Sequence, residues 1–163
     1  PQKRAPAEKE FVMPAELPLL GLAIHTNESL VHALSHYLPP QFISKSPVGD
    51  ALNYIIGMTV NQQWREAVQR LPQEFPSSQH ISKALVDSLY HKEENEELSA
   101  DEEKKEQERL NRVLQDCLNT IRKTGLQEEL RKITLELRQE LPETRQRELK
   151  EAYLNTMKKL KEL

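Results

Sequence analysis

His32 and His36 are four positions apart, and histidines at this spacing could bind a metal ion. Residues four positions apart lie on one face of a helix, where two imidazoles can hold one Zn²⁺ ion. A zinc site needs three or four converging ligands, and no third ligand lies nearby in the sequence. We therefore interpret both as ordinary surface or half-buried histidines and expect neither a metal nor another cofactor.

Cys117 is the single thiol of the chain and a candidate nucleophile. It lies in an apolar helical stripe beside Leu114 and Leu118, and only Arg122 and Lys123, further along, could lower its pKa. We expect a small core residue. A single cysteine excludes an internal disulfide, and no secretory signal pattern opens the chain, so we expect a reducing, cytoplasmic location.

Sequence motifs of common active sites are missing from the chain. There is no phosphate-binding G-x-x-x-x-G-K-[ST] loop, no G-x-G-x-x-G fingerprint, no H-E-x-x-H zinc motif and no C-x-x-C pair. With four glycines in 163 residues, backbone cradles for phosphate are not expected. We predict that this chain is not an enzyme and has no small-molecule substrate.

Apolar residues recur at helical spacing, and no period-2 strand pattern occurs, which predicts an all-α fold. Residues 13–91 hold 10 charged residues, whereas residues 92–163 hold 34. We predict a flexible linker over 1–12, a compact helical bundle over 13–121, and a long helix that leads into a C-terminal antiparallel helical hairpin over 122–163. No segment is apolar enough to span a membrane.

A long helix is predicted to begin near Ala100, because Ser99 and Glu102 form a capping-box pattern. It carries two apolar stripes about 160° apart around the helix, with Gly125 at the changeover. The stripes consist of Leu110, Leu114, Cys117 and Ile121, then Leu126, Leu130, Ile133 and Leu137. The first stripe should face the bundle and the second the last helix. The sequence leaves open whether Gly125 breaks, kinks or continues the helix.

The last helix should place Pro142 at its first helical position and turn an apolar stripe toward the long helix. That stripe consists of Leu149, Tyr153, Met157 and Leu160. Leu154 lies about 140° from Leu149 and thus off the stripe. Upstream, the helix that begins near Trp64 is predicted to end before Pro72.

The run DCLNTIRKTGLQEELRKITLELRQEL, from Asp116 to Leu141, resembles the C-terminal helicase-binding domain of bacterial DNA primase. Cys117, Leu118, Ile121 and Arg122 match the start of a long helix in that family, and Leu149 through Leu160 resemble its closing helix. The upstream order is also similar: a leucine-rich opening helix (PAELPLLGLAI), a short second helix and the LPPQFISKSP loop.

This resemblance implies a non-catalytic module that docks on the N-terminal domains of the hexameric replicative DNA helicase, recruits primase to the fork and stimulates the helicase. The zinc-binding and polymerising regions of the primase would precede Pro1, which we interpret as the start of an excised piece. We expect a monomer whose final helical hairpin is the main docking element. The candidate partner-binding residues are Arg147, Lys150, Tyr153, Leu154, Met157, Lys158 and Lys161.

Two other functions fit the same residues. In a self-associating helical scaffold, the stripe from Leu126 to Leu137 would pair with a second chain. A weak nucleic-acid-binding module is suggested by residues 120–163, which hold 11 basic and 8 acidic side chains. The whole chain has a net charge of -3, which gives no general attraction to nucleic acid.

Overall fold

The structure is a computed structural model that describes residues 11–25, 28–95 and 98–163. All regular elements in these ranges are helical, which confirms the all-α prediction. Residues 1–10 of the predicted linker lie outside the described ranges. The elements are α1 (Glu16–His25), α2 (Glu28–Tyr37), a 3₁₀ turn (Pro40–Phe42), α3 (Pro47–Val60), α4 (Trp64–Glu74), α5 (Gln79–Asn95), α6 (Ala100–Leu137) and α7 (Glu143–Lys161).

The core is an apolar cluster to which helices α1 to α6 all contribute. Helix α3 lies at its centre, against α1, α2, α4 and α5, and it buries Leu52 and Ile55 completely. Helix α6 closes the cluster with Cys117, Leu118 and Ile121. Removing these side chains from water is the main favourable contribution to folding, so the middle of α6 is fixed to the bundle.

The start of α3 is held by a buried polar cluster. The Ser46 hydroxyl accepts a hydrogen bond from the Gly49 N–H at 3.0 Å and so caps the helix. Glu16, on α1, is 1% exposed; its carboxylate accepts hydrogen bonds from the Ser44 N–H, at 2.7 Å, and from the Ser44 hydroxyl. These bonds satisfy a carboxylate that would otherwise be costly to bury, and they tie the loop before α3 to α1.

Helix α4 does not end before Pro72, and that prediction was wrong. It continues to Glu74 with Pro72 inside its last turn. Proline removes one helical hydrogen bond, but the fully buried Leu71 anchors the turn and its carbonyl accepts the N–H of Phe75 at 2.9 Å. The packing of Leu71 therefore outweighs the local effect of the proline.

Helix α6 runs for 38 residues without a break at Gly125. The predicted capping box at its start is confirmed: the Ser99 hydroxyl accepts the N–H of Glu102, and the Glu102 carboxylate accepts the N–H of Ser99, both at 3.3 Å. The ring of Phe42 lies on Gly125, where a Cβ atom would come within 2.5 Å of its Cγ atom. Gly125 thus allows the 3₁₀ turn to lie close against α6.

Helix α7 packs on α6, with two corrections to the predicted details. Pro142 is the residue before the first helical position, because its extended ψ of 147° leaves Glu143 to start the helix. Thr156 is buried, whereas Tyr153 is 37% exposed. The Thr156 hydroxyl donates a 2.8 Å hydrogen bond to the Ala152 carbonyl, which lets a polar side chain take a position expected for an apolar one.

Candidate partner-binding surface

The seven residues predicted to bind a partner all lie on α7, and they are unequally exposed. Leu154 is 68% exposed, the highest value for a large apolar side chain among the described residues. The four cationic residues are exposed as well, whereas Met157 is half-buried. Leu149, one turn before Tyr153 on the same helix, is 4% exposed. Helix α7 therefore has a face turned to α6 and a face turned to solvent.

An open crevice of about 460 Å³ lies between α6 and α7 beside Leu154. Three predicted residues, Lys150, Tyr153 and Leu154, line it from α7. Arg147, Met157, Lys158 and Lys161 do not line it. Thr134 and Leu137 of α6 complete the lining. The crevice has an apolar wall on each helix and a lysine at its edge.

Sequence reasoning missed the contribution of α6 to this crevice. Leu137 was assigned to the stripe covered by the last helix, yet it is only half-buried. Thr134 was not singled out, although it lies three residues before Leu137 and thus on the same face. That spacing was the available signal, and it was hidden because threonine breaks the apolar pattern.

Exposed ion-pair hydrogen bonds also link α7 to α6. Arg145 donates two hydrogen bonds to Glu136, from Nε at 3.0 Å and from Nη2 at 2.8 Å. A third runs from its Nη1 atom to Glu148 at 3.2 Å. The hydrogen bonds to Glu136 and then Glu148 raise the pKa of Arg145 above its usual value, so the guanidinium stays charged. The pair joins the two helices at the end nearest their connection.

The residues considered for chemistry elsewhere in the chain are His32, His36 and Cys117. His32 and His36 are exposed on α2, with ring centroids 5.4 Å apart. Within the described ranges, no group of three or more His, Cys, Asp or Glu side chains is placed to hold a metal ion. Cys117 is buried, and burial, with a smaller contribution from Asp116, raises the pKa of its thiol. A raised thiol pKa disfavours the reactive thiolate.

Other crevices lie among the described residues, and two of them lie between α6 and the helices that precede it. One, of about 380 Å³, separates α2 from α6 and is lined in part by Tyr37, Leu114 and Arg122. The other, of about 650 Å³, lies among α1, α5 and α6. Neither is lined by an apolar side chain as exposed as Leu154. The surface on α6 and α7 is therefore the stronger candidate for an interface.

Comparisons with protein-family models, characterised proteins and solved structures give no significant match to this chain. None of the described helices is long and apolar enough to cross a membrane.

Proposed function

We propose that this chain is a helicase-interaction domain of a bacterial DNA primase. In this proposal a compact bundle, residues 13–121, carries a C-terminal antiparallel helical hairpin, residues 122–163. The hairpin docks on the N-terminal domains of the hexameric replicative helicase in the cytoplasm, recruits primase to the fork and stimulates the helicase. The domain itself is monomeric and non-catalytic.

The observation that carries this proposal is the exposure of Leu154 beside the crevice formed with Thr134 and Leu137. Protein interfaces combine apolar anchors with a polar, charged rim, and a few well-placed side chains supply most of the binding energy. Here Leu154 would be the anchor, Tyr153 would support it, and Lys150 would lie on the rim. The surface is held in place by α7 packing on α6, so docking requires little ordering of the chain.

The resemblance to the primase family supplies the identity of the partner. It covers the order of elements from the opening leucine-rich helix to the last helix, and Cys117, Leu118 and Ile121, three of the matched residues, belong to the core. These buried positions support a fold like that of the primase family. The exposed side chains of α7 support the interface.

Titration of a purified hexameric helicase with the 163-residue chain tests the proposal. Leu154→Asp is expected to weaken binding by at least about tenfold, because a buried aspartate would lose its hydration at the anchor position. Leu135→Asp is the matched control: Leu135 is also exposed, at 45%, but it does not line the crevice. Equal affinities of wild type and Leu154→Asp would remove Leu154 from the interface, and absence of wild-type binding would refute the function.

Removal of α7 gives a second test. A chain cut after Glu140 lacks Leu154 and the α7 side of the crevice, so it should lose high-affinity docking while residues 13–121 stay folded. Retained affinity would show that the bundle is the docking element. Circular dichroism would establish that the shortened chain keeps the helices of the bundle.

Sedimentation equilibrium separates this function from a self-associating scaffold. A monomer at all concentrations agrees with the proposal. A dimer that forms with rising concentration would support the scaffold, in which the stripe from Leu126 to Leu137 pairs with a second chain. Loss of that dimer in Leu154→Asp would place the exposed surface of α7 in the contact between the two copies.

A further inference from the structure

The exposed face of α7 carries a concentration of positive charge. At about 100° per residue, Arg147, Lys150, Lys158 and Lys161 all lie within about 40° of Leu154 around the helix. All four side chains are exposed. We call these four cations and Leu154 the basic stripe. The chain as a whole has a net charge of -3, so the positive charge of this face is a local feature.

Two carboxylates lie on or beside this face and offset part of its charge. Glu143 lies on the same face and pairs with Arg147 at 3.6 Å, but both side chains are at least 80% exposed, so the pair is weak. Glu151 lies at the border, about 60° from Leu154. Lys150, Lys158 and Lys161 form no ion pair with any described residue. Three lysines of the stripe are thus available to an incoming molecule.

From this arrangement we infer that the basic stripe is an electrostatic docking surface for an acidic groove of the partner protein that contains an apolar pocket. The inference deepens the proposed function and rests on it: the surface of the helicase that receives Leu154 should carry Asp or Glu side chains around an apolar pocket. The stripe selects that surface by charge, and Leu154 and the crevice beside it supply the apolar contact.

The apolar side chain at the centre of the stripe favours a protein over a nucleic acid as the partner. A phosphate backbone presents charge without an apolar pocket, and a surface that binds it gains nothing from a leucine at its centre. Here Leu154 lies at the centre and an apolar crevice lies beside it. An acidic rim around a pocket complements both features, because opposite charges steer the encounter and the apolar side chain slows dissociation.

Two neighbouring lysines allow a matched test. Lys158 lies about 40° from Leu154, whereas Lys159 lies about 140° away, on the other side of α7. Both are exposed, and both belong to the last turn of the helix. Lys158→Glu and Lys159→Glu therefore make the same change in net charge and in the interaction with the helix dipole, but only one of them alters the stripe.

The experiment measures association and dissociation rate constants for the full 163-residue chain and its variants on the immobilised hexameric helicase, at low and high salt. Lys158→Glu should lower the association rate constant about tenfold at low salt, and Lys159→Glu by no more than about twofold. The wild-type association rate constant should fall as salt rises, because the Debye length contracts from about 30 Å at 0.01 M to about 3 Å at 1 M.

The possible failures of this experiment are distinguishable. If Leu154→Asp weakens binding but the two lysine variants associate at equal rates, the proposed function stands and the electrostatic surface is refuted. If the wild-type chain does not bind the helicase, both proposals fall. A duplex oligonucleotide tests the other partner class: binding that Lys158→Glu abolishes and Lys159→Glu preserves would assign the stripe to phosphate groups and overturn the inference.

Discussion

The ring of Phe42 lies against the Cα atom of Gly125, so that a Cβ atom there would come within 2.9 Å of the ring atom Cε1 and closer still to Cγ. This contact joins the 3₁₀ turn to the part of α6 around Gly125. Glycine is normally unfavourable within a helix by about 1 kcal/mol relative to alanine. Here the close approach of an aromatic ring accounts for its presence.

Gly125→Ala should destabilise the protein although alanine favours helices, because Phe42 must move away from α6. Gly57→Ala is the matched control, since nothing lies within 4 Å of a Cβ atom at Gly57 in α3. That change should stabilise by up to about 1 kcal/mol. The free energies of unfolding from urea titrations measure both effects. Equal stabilisation by the two variants would contradict the packing of Phe42 on Gly125.

A double-mutant cycle isolates this contact. In a Phe42→Ala background the ring is gone, so Gly125→Ala should change sign and become stabilising by up to about 1 kcal/mol. An unchanged effect of Gly125→Ala in the two backgrounds would show that some other contact restricts residue 125.

Glu16 should be more important for stability than a typical helix N-terminal carboxylate. Glu16→Ala leaves the Ser44 N–H without its acceptor in a partly buried site, which costs about 1 to 3 kcal/mol. Glu16→Gln keeps one carbonyl oxygen as an acceptor and should cost less. Glu28→Ala is the control, because Glu28 holds a similar first-turn position on α2 but is exposed. Thermal unfolding of the three variants measures the order, which should be Glu16→Ala, Glu16→Gln, then Glu28→Ala from lowest to highest melting temperature.

Two leucines of α7 should respond differently to the same substitution. Leu149→Ala removes a buried side chain from the contact with α6 and should cost about 2 to 4 kcal/mol. Leu154→Ala removes an exposed one and should change stability by less than about 0.5 kcal/mol. Guanidinium titrations compare the two directly. A large loss of stability in Leu154→Ala would mean that Leu154 packs within the chain and is not free to dock.

The Cys117 thiol should be unreactive in the folded protein at pH 8. Its pKa is raised above the ordinary value, chiefly by burial, so less thiolate is present than in the unfolded chain. As pH rises past the ordinary thiol pKa, the unfolded chain loses its proton first, and this group's contribution to stability falls. Labelling with a disulfide reagent should be at least about tenfold faster in denaturant than in buffer. Equal labelling rates would show that Cys117 is accessible.

The all-α fold could be predicted from the sequence because apolar residues at helical spacing mark the buried face of each helix. Cys117 and Ile121 were predicted to face the bundle, and both belong to its core. The reason for a glycine at position 125 could not be predicted, since it lies in the contact with Phe42, which is 83 positions away in the sequence. The end of α4 was misplaced because Pro72 is a strong local signal, whereas the burial of Leu71 is a property of the whole fold.

The candidate surface was predicted in part. Exposure of Leu154 followed from its position off the apolar stripe, and the structure shows it. The crevice beside it depends on how α6 and α7 are rotated relative to each other, which a helical pattern does not specify. Thr156 shows a different limit: it lies seven residues after Leu149 and so on the same face of α7, but a threonine does not read as a core residue until its hydroxyl is seen to donate to the backbone of its own helix.

The unbroken course of α6 has a consequence for sequence change. One helix holds both Ile121, in the core, and Leu137, beside the crevice, so the number of residues between them sets the direction in which that crevice points. Insertion of one residue in this segment would rotate everything beyond it by about 100° and advance it by about 1.5 Å. The orientation of the surface therefore depends on the number of residues in this segment. The protein should tolerate substitutions there far better than insertions or deletions.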